Sequence, residues 1–167
     1  MSIIVKSGGG SGTDTGIFAE YGSTDYPKSL KIVLPTIPAH TFRVESNANY
    51  SGIFTQEATS VEIKTTDIGE RAFGCFFTKV PSNSKIKIDA VSMGNNAFSQ
   101  IGETNLNVKI WISNKCESIH QYAFSSADNI GICYCEAESA GSGWIAGWSD
   151  YFTSVMYGVT EAEFDAL

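Results

Sequence analysis

Two histidines, four cysteines and the closely spaced Glu136 and Glu138 are the side chains in these 167 residues best suited to bond-making chemistry. Glu136 and Glu138 alternate on what reads as a strand, so they share a face. Two carboxylates on one face do acid–base work when an enclosed cleft pushes their pKa values apart. Nothing in the flanking residues indicates a cleft, so both read as solvated or cap-bonding acids. His40 follows Ala39 in a proline-containing turn, and His120 falls at a turn surface; neither reads as a catalyst. Cys133 and Cys135 also share one strand face, but a zinc site usually needs wider spacing and four ligands. Together with Cys75 and Cys116 they read as buried free thiols, because cysteine packs as a small hydrophobe. The glycine-rich run from Ser7 to Gly16 has no Gly-Lys-Ser/Thr ending and no helical pattern after it, so it is a linker rather than a phosphate loop. No catalytic residue, metal or cofactor is expected.

Binding has better candidates. In Val108-Lys109-Ile110-Trp111-Ile112 the apolar residues alternate, which turns Lys109 and Trp111 outward. An outward Trp on a strand suits a sugar platform or an interface anchor. It also suits a partly covered aromatic, or one packed against an oligomer partner. Tyr134 is ambiguous. The period set by Ile130 and Ile132 turns it inward, whereas an inward Cys133 and Cys135 turn it outward.

The elements that hold these residues recur. Ile68-Gly69-Glu70-Arg71-Ala72-Phe73, Met93-Gly94-Asn95-Asn96-Ala97-Phe98 and Ile119-His120-Gln121-Tyr122-Ala123-Phe124 place Phe73, Phe98 and Phe124 at intervals of 25 and 26 residues. Such a period signals stacked coils, each with an apolar edge that only a neighbour can cover. Each coil carries a strand of alternating apolar residues: Val61 and Ile63, Ile86 and Ile88, then Val108, Ile110 and Ile112, and last Ile130 to Cys135. After most of these strands, past a turn, Ile/Met-x-x-x-Ala-Phe reads as one short helical turn. Ala72, Ala97 and Ala123 let that turn approach the next coil, and the three Phe rings fill the centre of the stack. A small right-handed solenoid of three to four coils follows.

The flanks differ. Residues 1–16 read as a short strand and the glycine-rich linker. Residues 17–56 read as a small non-repeat β module or N-terminal cap, with strands at Leu30–Leu34 and Thr41–Glu45 around a turn at Pro35-Thr36-Ile37-Pro38. Repeats occupy 57–136. In the remainder, 137–167, Trp144 and Trp148 are four apart, on one face if helical, and read as a cap on the open end; a sugar-stacking pair is the alternative. Thr160-Glu161-Ala162-Glu163 fits a capping box before a short helix.

At 43% apolar and 17% charged the chain is globular. Its net charge of -7 argues against a wide nucleic-acid patch and against polybasic membrane binding. No apolar run approaches the roughly 20 residues that span a bilayer. Residues 1–6 lack the basic start and apolar stretch of a secretory signal, so synthesis and folding in a cytoplasm are expected.

The repeats resemble BspA-like leucine-rich repeats, whose unit runs Ile-x-Ile-Pro, a short loop, then Ile-Gly-x-x-Ala-Phe. The stretch from Ile110 to Phe124 follows it, with Ser113 in place of Pro and His120 in place of Gly. Ile68 to Cys75 matches it closely, and Cys133 to Ser139 followed by Gly143-Trp144 is similar to the family's closing segment, where Glu136 and Glu138 recur. The resemblance covers about residues 57–160. It implies an α/β repeat solenoid, β-rich with short helical turns, used in binding and carrying no catalytic constellation. It also implies that Cys133 and Cys135 point inward and Tyr134 outward. Separately, Ile3-Ile4-Val5-Lys6-Ser7-Gly8-Gly9-Gly10-Ser11-Gly12-Thr13-Asp14 resembles the opening of tail-associated proteins in phages of Gram-positive bacteria.

Together the two resemblances imply a virion structural protein of a phage, associated with the tail or baseplate and displaying its repeats for adhesion or host-receptor binding. Its expected partners are other virion proteins, further copies of itself, and a glycan or protein on the host surface. The alternatives are a bacterial cell-surface adhesin of the same repeat type, and a capsid or tail decoration protein with no host ligand.

Overall fold

The computed structural model describes residues 2–6, 28–43, 55–101, 107–125 and 130–167. The chain is a β-solenoid with two parallel sheets. The larger sheet orders β1 (Ser2–Lys6), β2 (Ser29–Val33), β4 (Ser60–Lys64), β6 (Lys85–Asp89), β8 (Lys109–Ile112), β10 (Ile132–Cys135) and β12 (Ser154–Tyr157). The smaller sheet orders β3 (Thr36–Ile37), β5 (Asp67–Ile68), β7 (Ser92–Met93), β9 (Ser118–Ile119) and β11 (Gly143–Trp144). Each step from β2 to β10 is one turn of the coil, so the chain winds four times between them. Among the described residues the only α-helix is α1 (Glu161–Asp165).

Register converts the alternating sequence into columns. Leu30, Val61, Ile86, Ile110 and Cys133 are successive partners, and so are Ile32, Ile63, Ile88, Ile112 and Cys135. All are buried. Ile37, Ile68, Met93, Ile119 and Trp144 form a third column in the smaller sheet. A one-residue slip would put every column into water, so the pattern pins the pairing. Each aliphatic side chain removed from water contributes roughly 1.5–3 kcal/mol.

The third side of each coil is built from tight turns where a helical turn was expected. Three residues after Ile37, Ile68 and Met93 stand His40, Arg71 and Asn96, with φ of 63°, 52° and 55°. A left-handed residue stops a helix from propagating. It also aims alternate N–H groups along the stack. The amides of His40 and Phe42 donate to the carbonyls of Glu70 and Ala72, and those of Arg71 and Phe73 to Asn95 and Ala97. The turns therefore form a hydrogen-bonded ladder of their own.

Inside that ladder the rings of Phe42, Phe73, Phe98 and Phe124 stack, with centroids 5.0, 5.1 and 5.4 Å apart and planes within 11°. Ala72, Ala97 and Ala123 are buried beside them. Gly69 is required by proximity: a Cβ there would lie 2.4 Å from the backbone nitrogen of Ala39 in the preceding coil.

Residues 28–43, within the stretch 17–56 read as a small non-repeat β module or N-terminal cap, form the first coil of the solenoid. Within that stretch 28–43 supply β2, β3 and Phe42, all in register with the second coil. Residues 39–42 are turns, so no strand begins at Thr41. The glycine-rich run at 7–16 lies outside the described residues, as do Val44 and Glu45. At the other end Trp144 lies in β11 and Trp148 in the turn after it, not on a shared helical face. Their rings meet edge-on at 4.9 Å, and Phe152 packs edge-on against Phe124 at 5.0 Å. Both Trp rings are buried, so neither offers a sugar platform.

Candidate functional site

The outward face of the larger sheet carries one residue per strand in a row: Lys31, Glu62, Lys87, Trp111, Tyr134 and Met156. Lys85 and Lys109 lie beside it as partners one row over. This places Lys109, Trp111 and Tyr134 on one surface. Tyr134 points away from the core, while Cys133 and Cys135 point into it with their sulfurs 3.9 Å apart.

That surface is not open. Trp111 is 3% exposed and Tyr134 6%, because the end of the chain folds back across them. They form a second apolar cluster with Phe164, flanked by Ile132 and Val159. Phe164 is fully buried, its ring 5.4 Å from that of Tyr134. Trp111 Nε1 donates to the Val159 carbonyl at 2.9 Å. Lys87 Nζ reaches Glu161 at 2.7 Å and Asp165 at 3.1 Å, Lys85 Nζ the Asp165 carbonyl at 2.8 Å, and Lys109 Nζ the Leu167 carbonyl at 3.1 Å. A capping box at Thr160 and Glu163 starts the short helix. Of the readings of the outward Trp111, the open sugar platform gives way to the covered aromatic, and Tyr134 faces outward and is covered with it. Alternation gave the direction of these side chains, but a distant segment covers them. Lys85, Lys87 and Phe164 were missed; an acidic capping box ahead of a lone Phe was the available signal.

Burial works against the charge on Lys87, but its hydrogen bonds to Glu161 and Asp165, with their charges, outweigh that and raise its pKa above the ordinary 10.5. On Glu163, hydrogen bonds from the Thr160 side chain and amide hold the carboxyl below its ordinary value.

A different surface is open. At the corner where the strands of the larger sheet turn toward the smaller one, a groove of about 590 Å³ crosses four coils. Leu34, Pro35, Ala90 and Val91 give it apolar walls, and Lys64, Asp89 and Lys115 line it with charge. Lys115 Nζ donates to both Asp89 oxygens, at 2.9 and 3.0 Å, and Lys64 Nζ stands 3.6 Å away. Burial pushes Asp89 up, but the Lys115 hydrogen bond and the two lysine charges outweigh it and hold the carboxyl below its ordinary 3.8. Such a trough suits an extended ligand with apolar and polar parts. It does not enclose a reacting bond.

The residues suited to chemistry are dispersed. His40 is exposed, and His120 Nδ1 accepts from the Tyr122 amide at 3.2 Å. Glu136 accepts from the Asn114 amide at 3.0 Å, tying its coil to the turn of the preceding one. Burial pushes the Cys116 thiol up to about 12 and the Cys133 thiol well above its ordinary value, so both stay protonated and weakly nucleophilic. Among the described residues no group of three or more His, Cys, Asp or Glu converges to hold a metal ion, and no helix is long and apolar enough to cross a membrane. No known protein family, curated protein or solved structure matches the chain.

Proposed function

We infer that this chain is a virion structural protein of a phage, associated with the tail or baseplate, whose solenoid is a BspA-like leucine-rich repeat module displayed for adhesion or host-receptor binding. The observation that carries the binding part is the corner groove, an open trough crossing four coils with paired lysines at Asp89. The Ile/Met-x-x-x-Ala-Phe units in three successive coils support the repeat type. The phage part rests on the resemblance of residues 3–14 to tail-associated proteins.

In this reading other virion proteins hold the particle end, further copies complete a symmetric assembly, and a glycan or protein on the host surface meets the groove. The strand β1 is already paired in parallel with β2 of its own chain, so attachment uses its other edge or the run that follows. A second reading, a decoration subunit with no host ligand, is favoured by one observation: the aromatic face at Trp111 and Tyr134 is closed by the chain itself.

The test is location and attachment. Mass spectrometry of purified virions should find the chain, and the purified protein should bind host cells and compete with particle adsorption. Presence in virions without cell binding selects the decoration reading. Absence from virions overturns the proposal.

A further inference from the structure

The segment 159–167 is fastened differently from the rest of the chain. Its one buried ring, Phe164, belongs to the small cluster with Trp111 and Tyr134, which is separate from the solenoid core. Its other fastenings are two hydrogen bonds at Val159, whose amide donates to the Cys135 carbonyl and whose carbonyl accepts from Trp111 Nε1, and ionic or polar contacts at the rim: Lys87 to Glu161 and Asp165, Lys85 and Lys109 to backbone carbonyls. Glu161 and Asp165 keep about half of their side-chain surface in water, at 54% and 51%. Salt and solvent therefore screen these contacts, unlike the core columns. The helix has five residues, too few to hold its shape once undocked. Between the segment and β12 stands Gly158, with φ of 72°. Glycine tolerates both signs of φ, so the chain can turn there in either direction.

We propose that this C-terminal segment is an exchangeable plug, and that the sheet face over β6, β8 and β10 is an interaction site for the plug of a second copy of the chain. Charge fixes the occupant. The face presents Lys85, Lys87 and Lys109 around an aromatic floor of Trp111 and Tyr134, in a protein of net charge -7. Its complement is an acidic segment with one aromatic side chain, and 159–167 supplies every matching group. An identical chain needs no new complementarity, only reach across Gly158. Two chains exchanging plugs reciprocally form a closed two-fold dimer in which each contact occurs twice. Released plug and bare face would both be costly in water, which favours exchange over simple opening. The inference stands independently of the phage reading.

A reciprocal charge reversal tests it. One full chain carries Lys85→Glu, Lys87→Glu and Lys109→Glu; the other carries Glu161→Lys and Asp165→Lys. Each alone repels its own plug and that of an identical copy. Mixed one to one, each plug meets a complementary face only on the other chain. The expected result is a heterodimer as the dominant species by native mass spectrometry, with neither chain dimeric alone. Far-UV circular dichroism checks that both solenoids are folded. Should the triple reversal fail to fold, Lys87→Glu mixed with Glu161→Lys puts the same question with one change per chain. Folded chains that stay monomeric on mixing overturn the proposal.

Discussion

Trp111 Nε1 and the Val159 carbonyl, 48 residues apart in sequence, are joined by a 2.9 Å hydrogen bond that ties the end of the chain to the outer face of the solenoid. The bond makes the indole a latch. Trp111→Phe keeps an aromatic body and removes the donor. A carbonyl left without its partner costs about 1–3 kcal/mol. The loss falls on 159–167, so amide exchange in that segment should speed up by about tenfold or more while the solenoid strands keep their protection. Unchanged exchange in 159–167 would show that the latch contributes nothing.

Phe98 stacks between Phe73 and Phe124, at 5.1 and 5.4 Å. Phe98→Ala removes the middle ring, and neither neighbouring coil can collapse inward while both sheets hold their spacing. The expected cost is about 3–5 kcal/mol. That is a large part of what holds a small domain folded. Thermal melting measures it, and an unchanged midpoint would refute the stacked column as a stabilising element.

Lys87 makes docking of the plug sensitive to alkali. Its pKa is raised in the folded chain: burial lowers it, and the bonds to Glu161 and Asp165 more than compensate. A raised lysine contributes stability that is fully present below its ordinary 10.5 and is lost as pH rises through the folded value. Plug release should therefore begin above pH 10.5, seen as a change in tryptophan fluorescence with the far-UV signal retained. Lys87→Arg keeps its charge to higher pH and should move the change upward. A change at the same pH in both proteins would assign it to another group.

How far the sequence disclosed this molecule depends on how local the signal was. The strand columns were legible because inward residues alternate, and Phe73, Phe98 and Phe124 because their period is nearly constant. In the coil at 28–43 the strand near Leu30–Leu34 was legible, but its place in the repeat was hidden. Pro38 and Thr41 stand where the next two coils have Gly and Ala, and 31 residues separate Phe42 from Phe73 instead of 25 or 26. Strand pairing holds that coil in register despite the longer connection. The outward direction of Trp111 was legible, but its cover was not. That cover depends on a contact with Val159 and on three lysines brought together by parallel register.

The corner groove gives the sharpest separation of binding from folding. Lys64 and Lys115 meet Asp89 near the surface, and each lysine side chain is more than half exposed, at 58% and 59%. Surface pairs of this kind contribute about 0–1 kcal/mol each, so Lys64→Ala with Lys115→Ala should barely move the melting midpoint. The same change strips the groove of its cations beside Leu34, Pro35, Ala90 and Val91. If the groove meets the host surface, attachment of the purified protein to host cells should fall by about tenfold or more, the equivalent of roughly 1.4 kcal/mol. Trp111→Phe is the control, because that side chain is covered and should leave attachment unchanged. Loss of attachment with Trp111→Phe but not with the lysine pair would move the binding surface from the groove to the plugged face.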